Sequence, residues 1–337
     1  KSDILLINLE SEAEMLRLEQ IAQKLNKPAR ISIRVNPNVD AKTHPYISTG
    51  LNENKFGVSI ETARKMYIYA KKSKFLNPVG IHFHIGSQLT DISPICDAAK
   101  IVSDLLRELR ALEIDIKFFD VGGGIGIRYE DEKQIVLYDY AQGILRSLSG
   151  LDVTIVCEPG RFITGAAGVF LTRVLYEKQN CGKRFVIVDG AMNDLIRPSL
   201  YGAHHAIEIV SASEGINLDK PDVSEVNLGG RGSDQTNSSR ADEKILGGGN
   251  LAEVSLCDVV GPICESGDFL AKGVSLPSLQ SGDLLAIKSA GAYGFSMSSN
   301  YNTRCRAAEI AVYDGQDRLI RKRESFDELI ALEKDFV

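Results

Sequence analysis

The sequence predicts an α/β fold in which a TIM-like parallel β/α barrel is followed by an antiparallel β-domain, and three observations support this prediction. Over residues 1–165, apolar segments alternate with helical patterns, which is typical of parallel strands covered by helices. Three of these apolar segments end at small clusters of glycine and functional side chains. Over residues 166–337, predicted strands follow one another without helices between them. We therefore expect two domains, with a boundary near residue 165.

The composition restricts the class of ligand. The net charge of −6 and the lack of a Lys/Arg-rich run argue against a nucleic-acid or anionic-membrane partner, so we expect a small molecule. The apolar runs are shorter than the roughly 20 residues that cross a bilayer. The six cysteines form no CxxC pair, which predicts reduced thiols and a cytoplasmic location.

Each element of the predicted barrel has a local signal. A capping box of Ser11 and Glu14 begins the first helix, and the second begins near Ser59. The third helix opens at Ser93-Pro94, with Ser93 as the N-cap and Pro94 in the first helical position. Five β/α units are visible, whereas a closed barrel needs eight. The predicted strands are Ile4–Asn8, Ile31–Val35, Val79–His84, Ile116–Val121 and Val153–Cys157.

The second half of the chain has strand signals and one unusual segment. Residues 215–250 are rich in Gly, Ser and Asn, and we expect them to form a flexible surface excursion. Residues 325–332 have the pattern of a short amphipathic helix. The predicted strands are Val169–Tyr176, Arg184–Asp189, Ile207–Val210, Leu284–Ile287 and Ala308–Tyr313.

The glycine run and the histidine pair each allow more than one interpretation. Gly122-Gly123-Gly124-Ile-Gly126 follows an apolar strand, and it is either a phosphate cradle or a tight turn. His82 and His84 alternate along a strand and so point to opposite sides of it. They fit a metal pair, a core histidine, or an imidazole that stacks on or hydrogen-bonds a ligand.

Glu158-Pro-Gly-Arg161 places an anion and a cation at the end of another strand. The two side chains form either an internal ion pair or a binding site, because a protonated ring nitrogen favours a carboxylate and a phosphate favours arginine and glycine N–H groups. In the second half, Gly261-Pro-Ile-Cys-Glu-Ser-Gly-Asp268, Arg197-Pro-Ser-Leu-Tyr201 and Gly291-Ala-Tyr-Gly294 are either site loops or ordinary surface.

Together and in this order, these motifs resemble diaminopimelate decarboxylases, which are pyridoxal-phosphate-dependent decarboxylases with an alanine-racemase-like barrel and a β-domain. The similarity extends over almost the whole chain, and Cys264-Glu-Ser-Gly-Asp268 is its most discriminating motif. The resemblance implies that residues 1–165 bind pyridoxal phosphate and represent about the last five units of a (β/α)8 barrel. It also implies decarboxylation of meso-2,6-diaminopimelate to L-lysine, the last step of lysine biosynthesis.

The resemblance assigns roles to residues of this sequence. His84 would stack on the cofactor ring, Glu158 would pair with the ring nitrogen, and Cys264 would return a proton after carbon dioxide leaves; these three are the catalytic candidates. No metal is implied. The cofactor-binding candidates are His84, Ser87, Gly123, Gly124, Glu158, Pro159, Gly160, Arg161 and Tyr293. The substrate-binding candidates are Arg161, Arg197, Tyr201, Glu265 and Tyr293.

The resemblance further implies a homodimer in which Cys264, Glu265 and Ser266 reach the neighbouring subunit's site. The family's cofactor-binding lysine lies in a motif like Tyr-Ala-x-Lys-Ala-Asn, which this sequence does not contain, so we expect the chain to be part of a longer enzyme. Three alternatives stay open: a same-fold decarboxylase of ornithine, arginine or carboxynorspermidine, a non-catalytic homologue that binds partners, and a phosphate-binding barrel enzyme without pyridoxal phosphate.

Overall fold

A computed structural model describes residues 3–40, 49–50, 55–210 and 254–336. The chain divides into two compact units, Lys1–Gly168 and Val169–Val337. Within the described ranges, no helix has the length and apolar character required to cross a membrane. The flexible excursion predicted over residues 215–250 lies outside the described residues.

The first unit contains one sheet of five parallel strands. Their spatial order follows the chain, and each strand pairs with the next one in sequence. The prediction of five strands here is confirmed in place and direction, with ends that differ by a few residues. The strands are β1 (Ile7–Leu9), β2 (Ala29–Arg34), β3 (Leu76–His82), β4 (Phe118–Asp120) and β5 (Thr154–Val156).

Helices connect successive strands, and two of the predicted caps need correction. The Ser11 hydroxyl accepts from the Glu14 N–H at 3.1 Å, but the Glu14 carboxylate accepts from the N–H of Glu10, so the box is not reciprocal. Ser93 is the first helical residue, and Ile92 is the N-cap of that helix. A helix between β4 and β5 was not predicted. The helices are α1 (Glu12–Lys24), α2 (Ile60–Lys72), α3 (Ser93–Ala111), α4 (Leu137–Ser147) and α5 (Gly160–Thr164).

Tyr67 of α2 joins β2 and β3 inside the core of the first unit. The pairing of these strands shifts between Ile31 and Ser32, opposite Pro78, which has no N–H to donate. The Tyr67 hydroxyl accepts from the N–H of Ile33 at 3.3 Å and donates to the carbonyl of Gly80 at 2.7 Å. Its ring is fully buried, and burial raises the pKa of the phenol, so it stays a neutral donor.

The second unit is built on a mixed sheet of six strands in the order β10-β9-β7-β6-β11-β8. The prediction of an antiparallel domain is wrong for one pair, because β7 and β9 run parallel. The chain between these two strands includes a short helix, α6 (Arg197–Tyr201), so they are not joined by a hairpin turn. The strands are β6 (Phe170–Asn180), β7 (Lys183–Val188), β8 (Ile207–Val210), β9 (Ser255–Val260), β10 (Phe269–Leu276) and β11 (Leu284–Ile287).

A separate hairpin and a short helix follow the mixed sheet. The hairpin consists of β12 (Glu309–Tyr313) and β13 (Gln316–Arg321), and the second strand was not predicted because its residues are mostly polar and exposed. The predicted terminal helix is present as α7 (Phe326–Leu329). Its N-cap Ser325 forms a complete capping box with Glu328.

Replacing Tyr67 with phenylalanine should lower the free energy of unfolding by about 1–3 kcal/mol, because two buried backbone groups lose their partner. Tyr69 is a matched control on the same helix, since its hydroxyl contacts Glu19 at the surface. Tyr69→Phe should change stability by less than about 0.5 kcal/mol. Urea titrations of both variants measure the difference, and equal losses would contradict a bridging role for Tyr67.

Candidate active site

The carboxyl ends of β3, β4 and β5 bring together three of the sequence motifs. The ladder pairs His82 with Asp120, and Asp120 with Val156, so the segments that follow these strands leave the sheet side by side. His84 and Ser87 follow β3, the glycine run follows β4, and Glu158 follows β5. Parallel strands place their following loops at one edge, which is where α/β proteins bind ligands.

Glycine is required where these loops contact one another. A Cβ on Gly124 would collide with the carbonyl oxygen of Gly86, and the backbone there has φ +101°, which side chains disfavour. A Cβ on Gly123 would collide with the carbonyl oxygen of Glu158. Both glycines therefore allow the loops to pack in direct contact. The Gly123 N–H also donates to Nδ1 of His84 at 3.1 Å.

His82, Asp120 and Glu158 form an acidic cluster at this edge. Their nitrogen and carboxylate atoms lie within 4.8 Å of one another, and Nε2 of His82 is 3.7 Å from Oε2 of Glu158. His82 and Asp120 are buried, whereas the Glu158 side chain is 45% exposed. Burial, and then the charge of Asp120, raise the pKa of Glu158 to about 7.

The two histidines have different surroundings, as their alternation along the strand predicts. Burial, and then the nearby Arg34 charge, lower the pKa of His82 to about 3 and that of His84 to about 4, so both rings are neutral. Neither ring nitrogen of His82 has a hydrogen-bond partner among the residues that the structure describes. By charge, His82, Asp120 and Glu158 suit either a metal ion or a cationic nitrogen of a ligand. His84 is not a member of this group.

Arg161 supplies positive charge to the same set of loops. Its guanidinium is buried and donates to the Ser87 hydroxyl at 3.2 Å and 3.3 Å and to the Tyr129 hydroxyl at 2.6 Å. Ser87 and Arg161 are both predicted site residues, and the structure brings them into contact. Tyr129 was not predicted, and nothing in its local sequence indicates this role.

Arg34, at the end of β2, supports the backbone of the site. It donates to the Glu10 carboxylate at 2.7 Å and to the His84 carbonyl at 3.1 Å. Glu10 in turn accepts from the N–H of Gly57 at 2.6 Å. Glu10 therefore balances the charge of Arg34. The hydrogen bonds of these two side chains fix the backbone around the site.

In the second unit, Asp268 shapes the loop that carries Cys264 and Glu265. Its two carboxylate oxygens accept from the N–H groups of Met192 and Ile263, each at 2.7 Å. Cys264 and Glu265 are exposed on this loop. Oε2 of Glu265 accepts from the Tyr301 hydroxyl at 2.5 Å, a contact between residues far apart in sequence.

Arg197 is oriented by a histidine that sequence reasoning missed. A guanidinium only donates, so Nε2 of His205, 2.8 Å from Nη1 of Arg197, must accept. A carbonyl only accepts, so Nδ1 of His205 donates to the carbonyl of Lys288 at 2.8 Å. Arg197 and His205 are buried, Tyr201 is half-buried, and Tyr293 is 41% exposed.

The predicted site residues thus fall into two sets, each described within its own unit. The first unit contains His84, Ser87, Gly123, Gly124, Glu158, Pro159, Gly160 and Arg161, all in the segments that follow β3, β4 and β5, with Gly160 and Arg161 at the start of α5. The second unit contains Arg197, Tyr201, Cys264, Glu265 and Tyr293. Asp120, which lies beside Glu158, was not predicted as a site residue. A carboxylate that ends an apolar strand was the signal that could have identified it.

Comparisons with known proteins agree with this geometry. The family described as pyridoxal-dependent decarboxylase, pyridoxal binding domain, matches residues 1–165. A diaminopimelate decarboxylase of Campylobacter jejuni is 61% identical over 99% of this chain and 74% of its own length. The crystal structure of diaminopimelate decarboxylase from Helicobacter pylori with L-lysine has a TM-score of 0.86 at 51% identity, covering 99% of this chain and 74% of that one.

A more distant solved structure has the same fold. Diaminopimelate decarboxylase from M. jannaschii, in co-complex with L-lysine, has a TM-score of 0.81 at 34% identity. The alignment covers 99% of this chain and 70% of that chain.

Replacing Gly124 with alanine should lower the free energy of unfolding by about 2–4 kcal/mol, because the new methyl group meets the Gly86 carbonyl at a positive φ. Gly160 is the matched control in the same set of loops, since a Cβ there meets nothing within 4 Å. Gly160→Ala should change stability by less than about 0.5 kcal/mol. Thermal and urea unfolding test this, and a harmless Gly124→Ala would show that the loops can move apart.

Proposed function

This chain belongs to the diaminopimelate decarboxylase family, and from that premise we propose that it removes carbon dioxide from meso-2,6-diaminopimelate to give L-lysine, the last step of lysine biosynthesis. It is a carboxy-lyase that uses pyridoxal phosphate. Relatives that are crystallised with L-lysine support this substrate, because L-lysine is the product of the proposed reaction.

The observation that carries the proposal is that the first unit holds an acidic pair, Asp120 and Glu158, and a cationic group, Arg161, in neighbouring segments. The acidic cluster of Asp120 and Glu158 suits a cationic ring nitrogen, and the unsatisfied ring of buried His82 faces the same point. Arg161, with the Ser87 hydroxyl beside it, suits a phosphate. Pyridoxal phosphate carries both groups, so the residues present fit this cofactor.

Within the first unit, each proposed residue has a distinct task. When bound, pyridoxal phosphate supplies an electron-accepting ring that takes the electron pair left by the departing carboxylate. Glu158 holds the positive charge on the ring nitrogen, and His84, fixed by the Gly123 N–H, offers a neutral ring for stacking. The proposed phosphate ligands are Ser87, Gly124 and Arg161, Gly123 contributes to the cofactor site by fixing His84, and Pro159 and Gly160 form the segment between Glu158 and Arg161.

Within the second unit, the proposed residues recognise substrate and move a proton. Arg197 binds the distal carboxylate, and Glu265 binds the distal ammonium. Cys264, which is exposed on its own chain, gives its Sγ proton to the carbon that has lost carbon dioxide. Tyr201 and Tyr293 are the other proposed substrate ligands of the second unit, and Tyr293 is also a proposed phosphate ligand. Arg161 of the first unit is a further proposed substrate ligand.

The larger organisation is likewise proposed. Strand order β1 to β5, with a helix after each strand, supports the view that the first unit is part of a (β/α)8 barrel. We assign residues 1–165 to pyridoxal phosphate and residues 166–337 to the β-domain. The family resemblance supports a homodimer with shared sites. The cysteine usage supports a cytoplasmic location.

Carbon dioxide release from a panel of amino acids tests the proposed substrate. We expect turnover of meso-diaminopimelate, with ornithine, arginine and carboxynorspermidine at least about 100-fold slower in kcat/KM, because none of the three has the distal carboxylate that Arg197 would bind. Preference for one of the other three substrates would contradict the proposal. Absence of turnover of all four, with no cofactor absorbance, would favour a binding homologue or an enzyme without pyridoxal phosphate.

Replacing Cys264 with alanine should lower kcat by about 100-fold or more and leave KM within a few-fold, because a proton donor acts after substrate is bound. Cys181 is an exposed cysteine at the turn between β6 and β7 and provides the control. Cys181→Ala should leave both constants unchanged. Steady-state kinetics on meso-diaminopimelate distinguish these outcomes. An equal kcat in both variants would show that Cys264 is not the proton donor.

A further inference from the structure

Asp120 and Glu158 form a carboxyl pair with unequal surroundings. Asp120 is buried, and Oδ1 accepts from the Gly122 N–H at 2.9 Å while Oδ2 accepts from the Asn8 amide at 3.3 Å. Glu158 is half exposed and lies against neutral His82. Donated hydrogen bonds stabilise an ionised carboxyl, so Asp120 is the better anion of the two.

Within the described part of the chain, the groups around the carboxyl pair add no free positive charge to it. Arg34 is the nearby cation, and its charge is balanced by Glu10. His82 and His84 are neutral, because burial lowers their pKa values far below neutrality. The facing groups are Asn8 of β1, Glu10 after β1, Arg34 of β2, His82 and His84 at the end of β3, Asp120 of β4, Tyr140 of α4, and Cys157 and Glu158 after β5.

A carboxylate oxygen of Asp120 lies within 4.8 Å of one of Glu158. Two carboxylates at this separation do not both ionise readily near neutral pH. Burial raises the pKa of both groups, and the hydrogen bond from Glu158 to Asp120 raises that of Glu158 and lowers that of Asp120. The proton of the pair therefore lies on Glu158, the residue that the proposed function places opposite the ring nitrogen.

We propose that Asp120 is a positioning residue that keeps one proton on Glu158 in the cofactor-free enzyme, so that a cationic ring nitrogen must displace this proton when the cofactor binds. The inference rests on the proposed pairing of Glu158 with pyridoxal phosphate. The protonated carboxyl and the ring N–H⁺ give a carboxylate that accepts from the N–H⁺, and one H⁺ passes to solvent. Asp120 then adds a second negative charge near the ring nitrogen.

The proposal predicts how cofactor affinity depends on pH. Below the Glu158 pKa of about 7, bound cofactor must expel the proton, so affinity falls by about tenfold for each unit that the pH is lowered. Above this pH no proton is displaced, so the protonation of Glu158 no longer changes the cofactor affinity. The ratio of native affinity to that of Glu158→Gln cancels the titrations that both enzymes share, including those of the phosphate and the ring.

Binding of pyridoxal phosphate to enzyme freed of cofactor, followed by absorbance from pH 5 to 8.5, tests the role of Asp120. In Asp120→Asn, which keeps an acceptor for the Gly122 N–H, the midpoint of the pH dependence should move from about 7 toward the ordinary glutamate value of 4.5. Affinity at pH 8 should fall roughly tenfold, because one nearby charge is lost. If the midpoint of the pH dependence in Asp120→Asn equals that of the native enzyme, the proposal is overturned.

Calorimetry supplies a second readout that does not depend on the Asp120 variant. Binding heats in two buffers of different ionisation enthalpy count the protons released, and native enzyme should release about one more proton than Glu158→Gln at pH 6. At pH 8.5 the two should release equal numbers, and equal release at pH 6 would overturn the inference. If Glu158→Gln binds cofactor as tightly as native enzyme at every pH, the proposed pairing of Glu158 also fails. A weakened Glu158→Gln with unchanged Asp120→Asn behaviour defeats only the inference.

Discussion

The close contact between the loops that follow β3, β4 and β5 is the constraint on which the site depends. Gly123 and Gly124 let the backbone after β4 touch the carbonyl groups of Gly86 and Glu158. Any side chain there would push the neighbouring loops apart. The contact places Glu158, His84 and the glycine N–H groups at one edge of the sheet, where a small ligand can reach all of them.

Electrostatics then decides what kind of ligand this edge accepts. Arg34 is neutralised by Glu10, and the two histidines are held neutral by burial. The charge of Asp120 and Glu158 is therefore not compensated by a neighbouring side chain among the described residues, and it suits a cation. Arg161 gives the same loops a cationic group, so the first unit is complementary to a molecule with a positive ring and a negative phosphate.

Local sequence signals identified most of the strands and several of the helices because their causes are local. Apolar runs, the N-cap Ser59 and the proline at the start of α3 act within a few residues. The parallel pairing of β7 with β9 could not be predicted, since it depends on which distant strands become neighbours. Strands β9 and β10 were not predicted either. Strand β13 was missed because exposed polar residues provide no apolar alternation.

By itself, the sequence determined the order of the elements, the motifs at the strand ends and the family to which they point, because each motif consists of residues that are close together in the sequence. Only the tertiary structure decided that Asp120 lies beside Glu158, that Tyr129 contacts Arg161, and that His205 orients Arg197. Except for the short separation of Arg197 and His205, these contacts join residues more than 30 positions apart. Their geometry and charge balance arise from packing, which local sequence does not specify.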